Sequence, residues 1–297
     1  MSANPRPTYG GQAVLEGVMI RGQKYACVAV RRPDGSIALK ADSINTFFTG
    51  KLRRFPFLRG VMVLAETLVL GMSALTWSAN ASMDEEEEEI GRVGMAMTIA
   101  MSLLFAVLLF FILPLFASRP FEGLADSDVI SNIVEGLIRL GVFLAYIYLI
   151  GRMKQIRRVF MYHGAEHMTV HAHENHDPLE ISAVRRYPAA HPRCGTAFLL
   201  TVMFVAIAVF AAIPRDPLWW LITSRVVLLP LIAAISYEAI RFSGFHSDNR
   251  IVRLLATPSL ALQALTTREP DDDQIEVAIA AMKHTLDADE GRVVVET

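Results

Sequence analysis

Cysteine is nearly absent from this 297-residue chain: only Cys27 and Cys194 occur, far apart and in unlike surroundings. Two thiols in a chain of this length exclude a disulfide-framed secreted scaffold. An excess of positive charge is also lacking. The formal net charge is −2, so nothing in the overall balance points to nucleic acid as a partner. The first fifteen residues have no apolar core and carry Pro5, Pro7 and a glycine pair, which reads against a cleavable signal peptide. The most informative absence is local. Met95 to Ala117 is 23 residues without one charge, and a helix of that length can cross a bilayer core of about 30 Å. Apolar residues make up 53% of the chain, which excludes a disordered protein, and this one segment excludes a simple soluble globule.

The remaining chain divides by composition. Residues 1–60 hold ten Lys/Arg against three acids, a charge of +7. Within them the β-prone runs Lys24–Arg31 and Ser36–Ser43 flank Arg32-Pro33-Asp34-Gly35, which predicts a hairpin in a small β-containing unit. Residues 61–94 follow, an apolar stretch broken by Glu66 and then the acidic run Asp84–Glu89, expected as an interfacial helix and a solvated linker. Four spans are expected at about 95–117, 133–151, 196–213 and 218–240, making residues 95–241 a four-helix membrane domain. Residues 242–297 are a tail in which Ile275, Ala278, Ala281 and Met282 share one helical face behind an acidic first turn. The fold class is therefore a mainly α, polytopic membrane protein with an N-terminal β-containing unit and a C-terminal helix. The loop 152–195 carries seven Lys/Arg against four acids, whereas 118–132 and 214–217 sum to −2 and 0. The positive-inside rule then places 152–195 and both termini in the cytoplasm, in a plasma membrane.

Six of the eight histidines lie between His163 and His191, within that loop. His163-Gly164-Ala165-Glu166-His167 has the form H-x-x-E-H. Four residues apart on a helix, the two imidazoles stack on one face and can reach one metal at about 2.0–2.1 Å, with Glu166 placed as general base. His191-Pro192-Arg193-Cys194-Gly195 precedes the third span and offers an imidazole and a thiolate, both zinc donors. His171, His173 and His176 read as surface groups. Glu238, in the last span, is a functional candidate because an ionisable group there is costly unless paired, coordinated or wet. Arg139 and Arg225 are expected to pair with acids between helices. Four glycines in Gly10–Gly22, with Glu16 and Arg21, read either as a tight structural turn or as a segment placing Glu16 or Gln12 at the rim of the metal pocket.

Four stretches in order, Gly10–Gly22, Tyr162–His167, His191–Thr196 and Thr266–Pro270, resemble those of the YqhQ-like family of uncharacterised bacterial membrane proteins. The resemblance covers nearly the whole chain. It implies a predicted metal-dependent enzyme of the bacterial inner membrane, with roles for Glu16, His163, Glu166, His167, His191, Cys194 and Glu238. It supplies no substrate. This chain has Met168 where family members commonly carry Lys after the second His, and Ile181–Val184 replaces a more polar stretch. The leading expectation is a zinc-dependent hydrolase at the cytoplasmic membrane face. His163 and His167 would be ligands, with a third from His191, Cys194 or Glu238, Glu166 would be catalytic, and its substrate would be lipid-linked or a membrane protein. The alternatives are a metal-stapled scaffold or assembly factor and, more remotely, a transporter using Glu238.

Overall fold

The computed structural model of the chain describes residues 9–45, 55–83, 91–121, 127–191, 194–246 and 249–292. The acidic run Asp84–Glu89, the basic residues Lys51, Arg53 and Arg54, and the pair Pro192 and Arg193 lie outside the described residues. The chain opens with four strands, β1 (Gly10–Val14), β2 (Gly17–Arg21), β3 (Tyr25–Arg31) and β4 (Ile37–Ser43). They form one antiparallel meander in sequence order. The glycine-rich opening is thus itself a hairpin. Leu15-Glu16 makes its turn, with Glu16 at φ 49° and its carbonyl accepting from Arg31 N at 2.8 Å.

Both faces of this sheet are covered, which is why β2 and β3 read as unbroken apolar runs rather than alternating ones. Successive side chains of a strand point to opposite faces. Val14, Met19, Ala26, Val28 and Val30 meet Leu70, Ala74, Trp77 and Ala81 of α1 (Leu58–Ala81). On the other face Val18, Ile20 and Ala29 enter a larger core. Its other walls are Tyr162, Ala165 and Met168 of one helix and Ile275, Ala278, Ala281 and Met282 of the C-terminal one. The result is three layers: α1, sheet, helix pair. The first and last parts of the chain close on each other, since the Asp289 carboxylate accepts from the backbone N–H groups of Gln23 (2.7 Å), Lys24 (2.8 Å) and Tyr25 (3.2 Å).

The remaining elements are α2 (Arg92–Val107) and α3 (Leu113–Ser118), joined through a π-wound turn at Leu108–Ile112, then α4 (Asp128–Ile150), α5 (Lys154–Glu174), α6 (Ile181–Val184), α7 (Gly195–Ala211), α8 (Leu218–Val227), α9 (Leu229–Phe245), α10 (Arg250–Thr266) and α11 (Asp272–Asp289). The protein is mainly helical, and among the described residues three helices are long and apolar enough to cross a membrane: Leu58–Ala81, Val93–Phe121 and Asp128–Ile150. This differs from the expected set. Residues 61–78, expected at the interface, belong to one of the three. The expected span 196–213 is a shorter helix, and 218–240 is bent by 43° between α8 and α9. Pro230, at the start of α9, accounts for the break, because its ring removes a backbone donor and clashes with the preceding turn.

The charges within these helices are paired. Glu135 accepts from Arg139 Nη2 (2.6 Å), Arg215 Nη1 (3.0 Å) and Arg225 Nη2 (3.1 Å), and Asn132 Oδ1 accepts from Arg215 and Arg225 at 2.9 Å each. Arg139 Nε donates to the carbonyl of Phe110, inside the π-wound turn. Such winding frees carbonyls from the regular helical ladder, and here one of them is taken up by a guanidinium.

Candidate metal centre

Helix α5 carries two working faces. Arg158, Tyr162 and Glu166 recur every four residues on the side toward β1, while His163, His167, His171 and Glu174 fall within an arc of about 80° beside it at 100° per residue. This helix is separate from α4. The chain turns at Gly151-Arg152-Met153, where the ring of Phe160 packs so closely on Gly151 that a methyl there would lie 3.1 Å from it.

Carbonyl groups from two other segments hold the histidine rings. His163 Nδ1 donates to Thr266 O at 2.9 Å, and His167 Nδ1 donates to Ala189 O at 2.6 Å. A carbonyl can only accept, so each Nδ1 carries the proton and each Nε2 keeps its lone pair. Second-shell partners of this kind set the tautomer and aim of a metal-binding imidazole. His163 Nε2 lies 3.2 Å from Cys194 Sγ, and the ligand atoms of His163, His167 and Cys194 all lie within 4.8 Å of one another. Cys194 is the N-cap of α7 and accepts from Thr196 N at 3.4 Å. Donors at about 2.0 and 2.3 Å from a tetrahedral zinc are roughly 3.5 Å apart, so this N2S group fits zinc with little adjustment.

Glu166 is buried, with Oε2 3.6 Å from His167 Nε2. Burial pushes its carboxyl up to about 7; His163 and the Gly11 backbone N–H oppose the rise. The opening strand therefore reaches the centre through a main-chain amide. Gln12 instead lies against α1, where a methyl at Gly71 would come within 2.8 Å of its amide. Glu16 pairs with Arg158 Nε at 2.7 Å and accepts from Tyr162 OH at 3.3 Å, on the sheet-facing side of α5.

His191 is not in the group with Cys194. Its ligand atom lies within 4.8 Å of those of His171 and Glu174, with Nε2 3.5 Å from Glu174 Oε2. Its ring centroid is 4.4 Å from that of His171 and 5.6 Å from that of His167. Burial first, then His171 and His167, push the His191 imidazole down to about 3, so it is neutral. The backbone of His191 is clamped by the buried side chain of Gln263, which accepts from its N–H and donates to its carbonyl, both at 2.9 Å. Glu238, a functional candidate in the sequence, accepts from Arg59 Nε at 2.6 Å and Phe57 N at 3.3 Å, tying α9 to the start of α1. Ion pairing satisfies that carboxylate where it stands.

Sequence reasoning left out Glu174, Gln263 and the Thr266 carbonyl, and set His171 aside as surface. The repeat 163, 167, 171, 174 on one helical face is the signal that brings His171 and Glu174 in. The stretch Thr266–Pro270 acts through its main chain. It crosses α5 at Gly164, where a methyl would sit 2.2 Å from Arg268 O, and Arg268 N donates to Phe160 O at 2.9 Å. Only a residue without Cβ lets the crossing strand come that close.

Residues 55–288 match the family described as protein of unknown function DUF1385, and the chain belongs to that family. It is 33% identical over 294 residues to the uncharacterized protein YqhQ of Bacillus subtilis (strain 168), covering 94% of this chain and 92% of that one. No solved structure matches it.

Proposed function

We propose that this is a membrane-embedded zinc-dependent hydrolase working at the cytoplasmic face, with His163, His167 and Cys194 as ligands and Glu166 as the general base. One observation carries the reading. Three donors on two elements converge with both imidazole tautomers set, and a buried carboxyl stands 3.6 Å from one of the ligand nitrogens. Three protein donors leave a fourth position open, as in catalytic zinc sites. A zinc ion there would polarise the scissile group and lower the pKa of water toward about 7. Glu166 takes the proton of the attacking water and passes it to the leaving group, a role suited to a carboxyl held near neutrality. The competing reading, a metal-stapled scaffold, needs a closed four-donor site, and the fourth candidate, His191, belongs to the neighbouring group.

Parity supports a membrane arrangement that suits this site. The sheet precedes α1 and α5 follows α4, yet sheet and α5 share one core, so an even number of crossings separates them. The second half of α1 is held against the sheet, and its buried Glu66 accepts from Arg21 Nη2 at 2.7 Å. That leaves α2–α3 and α4 as one out-and-back pair, and α7 with α8–α9 as the second. The basic balance of 152–195 supports a cytoplasmic three-layer unit. A site beside the start of α7 then faces lipid-linked or membrane-protein substrates.

The test is metal analysis of the purified chain beside its variants. Wild type is expected to hold stoichiometric zinc, His163→Ala and His167→Ala to lose it, and Glu166→Gln to keep it while losing complementation of a deletion strain. Wild type without stoichiometric metal, or Glu166→Gln with full complementation, would overturn the reading.

A further inference from the structure

We infer that His171, Glu174 and His191 form a second divalent-cation site, one helical turn along α5 from the first. The two groups share no residue. One takes His163, His167 and Cys194, the other His171, Glu174 and His191, and the donor atoms of each lie within 4.8 Å of one another. His191 Nε2 and Glu174 Oε2 are 3.5 Å apart. Two donors about 2.1 Å from one ion at the tetrahedral angle are roughly 3.4 Å apart, so this pair already stands at the edge length of a coordination polyhedron.

The support around these donors has the same logic as in the first group. His171 Nε2 donates to Ala190 O at 3.0 Å, which leaves Nδ1 as its lone-pair nitrogen. The carbonyl that fixes His167 belongs to Ala189, the residue before, so one short stretch of main chain sets a ring in each group. The stacking of His171 on Tyr187, 5.8 Å between centroids and 8° between planes, holds that ring flat. Gln263 fixes His191 by a two-point clamp on its backbone. An ordinary polar surface has no need of a fully buried amide spent on holding a loop residue in place.

The two donor sets differ in character. The first includes a thiolate and prefers zinc. The second is two imidazoles and a carboxylate, a harder set that accepts manganese or ferrous iron as well as zinc. The proposal extends the hydrolase reading but does not require it, because the donors are separate atoms on separate residues.

Cobalt(II) titration of the chelator-stripped full chain in detergent separates the two sites, with metal counted by mass spectrometry. Wild type is expected to bind two equivalents, one with thiolate-to-cobalt absorption and one without. Glu174→Gln, an isosteric change at a half-exposed position, should lose the thiolate-free equivalent and keep the other. His163→Ala should do the reverse, and the double variant should bind none. One equivalent in the wild type, with thiolate absorption and indifferent to Glu174→Gln, would overturn the second site and leave the first. One equivalent abolished by Glu174→Gln and indifferent to His163→Ala would keep the second site and overturn the hydrolase reading. No bound cobalt would overturn both.

Discussion

Gly164→Ala is the sharpest test of how the centre is held. The added methyl would lie 2.2 Å from the carbonyl oxygen of Arg268, a main-chain atom that cannot rotate away. Relieving that contact to an ordinary van der Waals distance of roughly 3.2 Å means moving the crossing strand by about 1 Å, and overpacking of this kind typically costs about 1–3 kcal/mol. At about 2 kcal/mol, a domain of this size loses on the order of 4–8 °C in Tm. The displacement also has a local effect. Residue 268 is two positions from Thr266, whose carbonyl holds His163 Nδ1 at 2.9 Å. Loosening a second-shell partner typically lowers metal affinity about 10–100-fold. Thermal unfolding in detergent and competition against a zinc chelator measure the two effects separately. A variant with wild-type Tm and wild-type affinity would refute the claim that Thr266–Pro270 acts by pressing its backbone onto α5.

Glu166→Gln should change the pH dependence of stability in metal-stripped protein. A carboxyl raised to about 7 from its usual 4.5 binds its proton more tightly folded than unfolded, so its contribution is full below about 4.5 and is lost as pH rises toward 7. The difference in Tm between variant and wild type should therefore grow in the variant's favour across that window, and a flat difference would show that Glu166 is not buried as described. Glu135→Gln strips the counter-charge from Arg139, Arg215 and Arg225 together; at about 3–5 kcal/mol for a broken buried ion pair, it should sharply lower the yield of folded protein, and wild-type yield and Tm would contradict the pairing. A cysteine probe at Asp216 should react with an impermeant thiol reagent added outside intact cells, whereas one at Arg186 should react only after lysis. The reverse pattern would invert the topology.

What could be read from the sequence was the part of the centre that depends on local spacing. His163, Glu166 and His167 stand on one helical turn, and Cys194 sits where α7 begins, so their neighbourhood follows from helix geometry and one short loop. The split of the donors into two groups was not legible, because it depends on which carbonyl each ring meets, and those belong to Ala189, Ala190 and Thr266. Gln263 lies 72 residues from the His191 backbone it clamps, and no spacing rule connects the two. Glu238 looked functional because an isolated acid in an apolar helix needs a partner; Arg59, 179 residues away, supplies one. The β1–β2 hairpin escaped notice for a simpler reason, since glycine opens each of its two short strands and weakens the usual strand signature.

The closure of the three-layer unit by the last helix also fixes when in the life of the chain the centre can come into being. His163 waits for the carbonyl of Thr266, His191 for the amide of Gln263, and the β2–β3 turn for the carboxylate of Asp289. Synthesis runs from the N-terminus at about 5–20 residues per second, so α5 emerges several seconds before the Thr266 carbonyl that orients His163. Until that later segment has been made, His163 has no partner for its Nδ1, and the face of the sheet that meets Ile275, Ala278 and Met282 is covered only in part. The centre is therefore completed late: a chain truncated before Thr266 would keep the carbonyls that hold His167 and His171 and lose the one that holds His163.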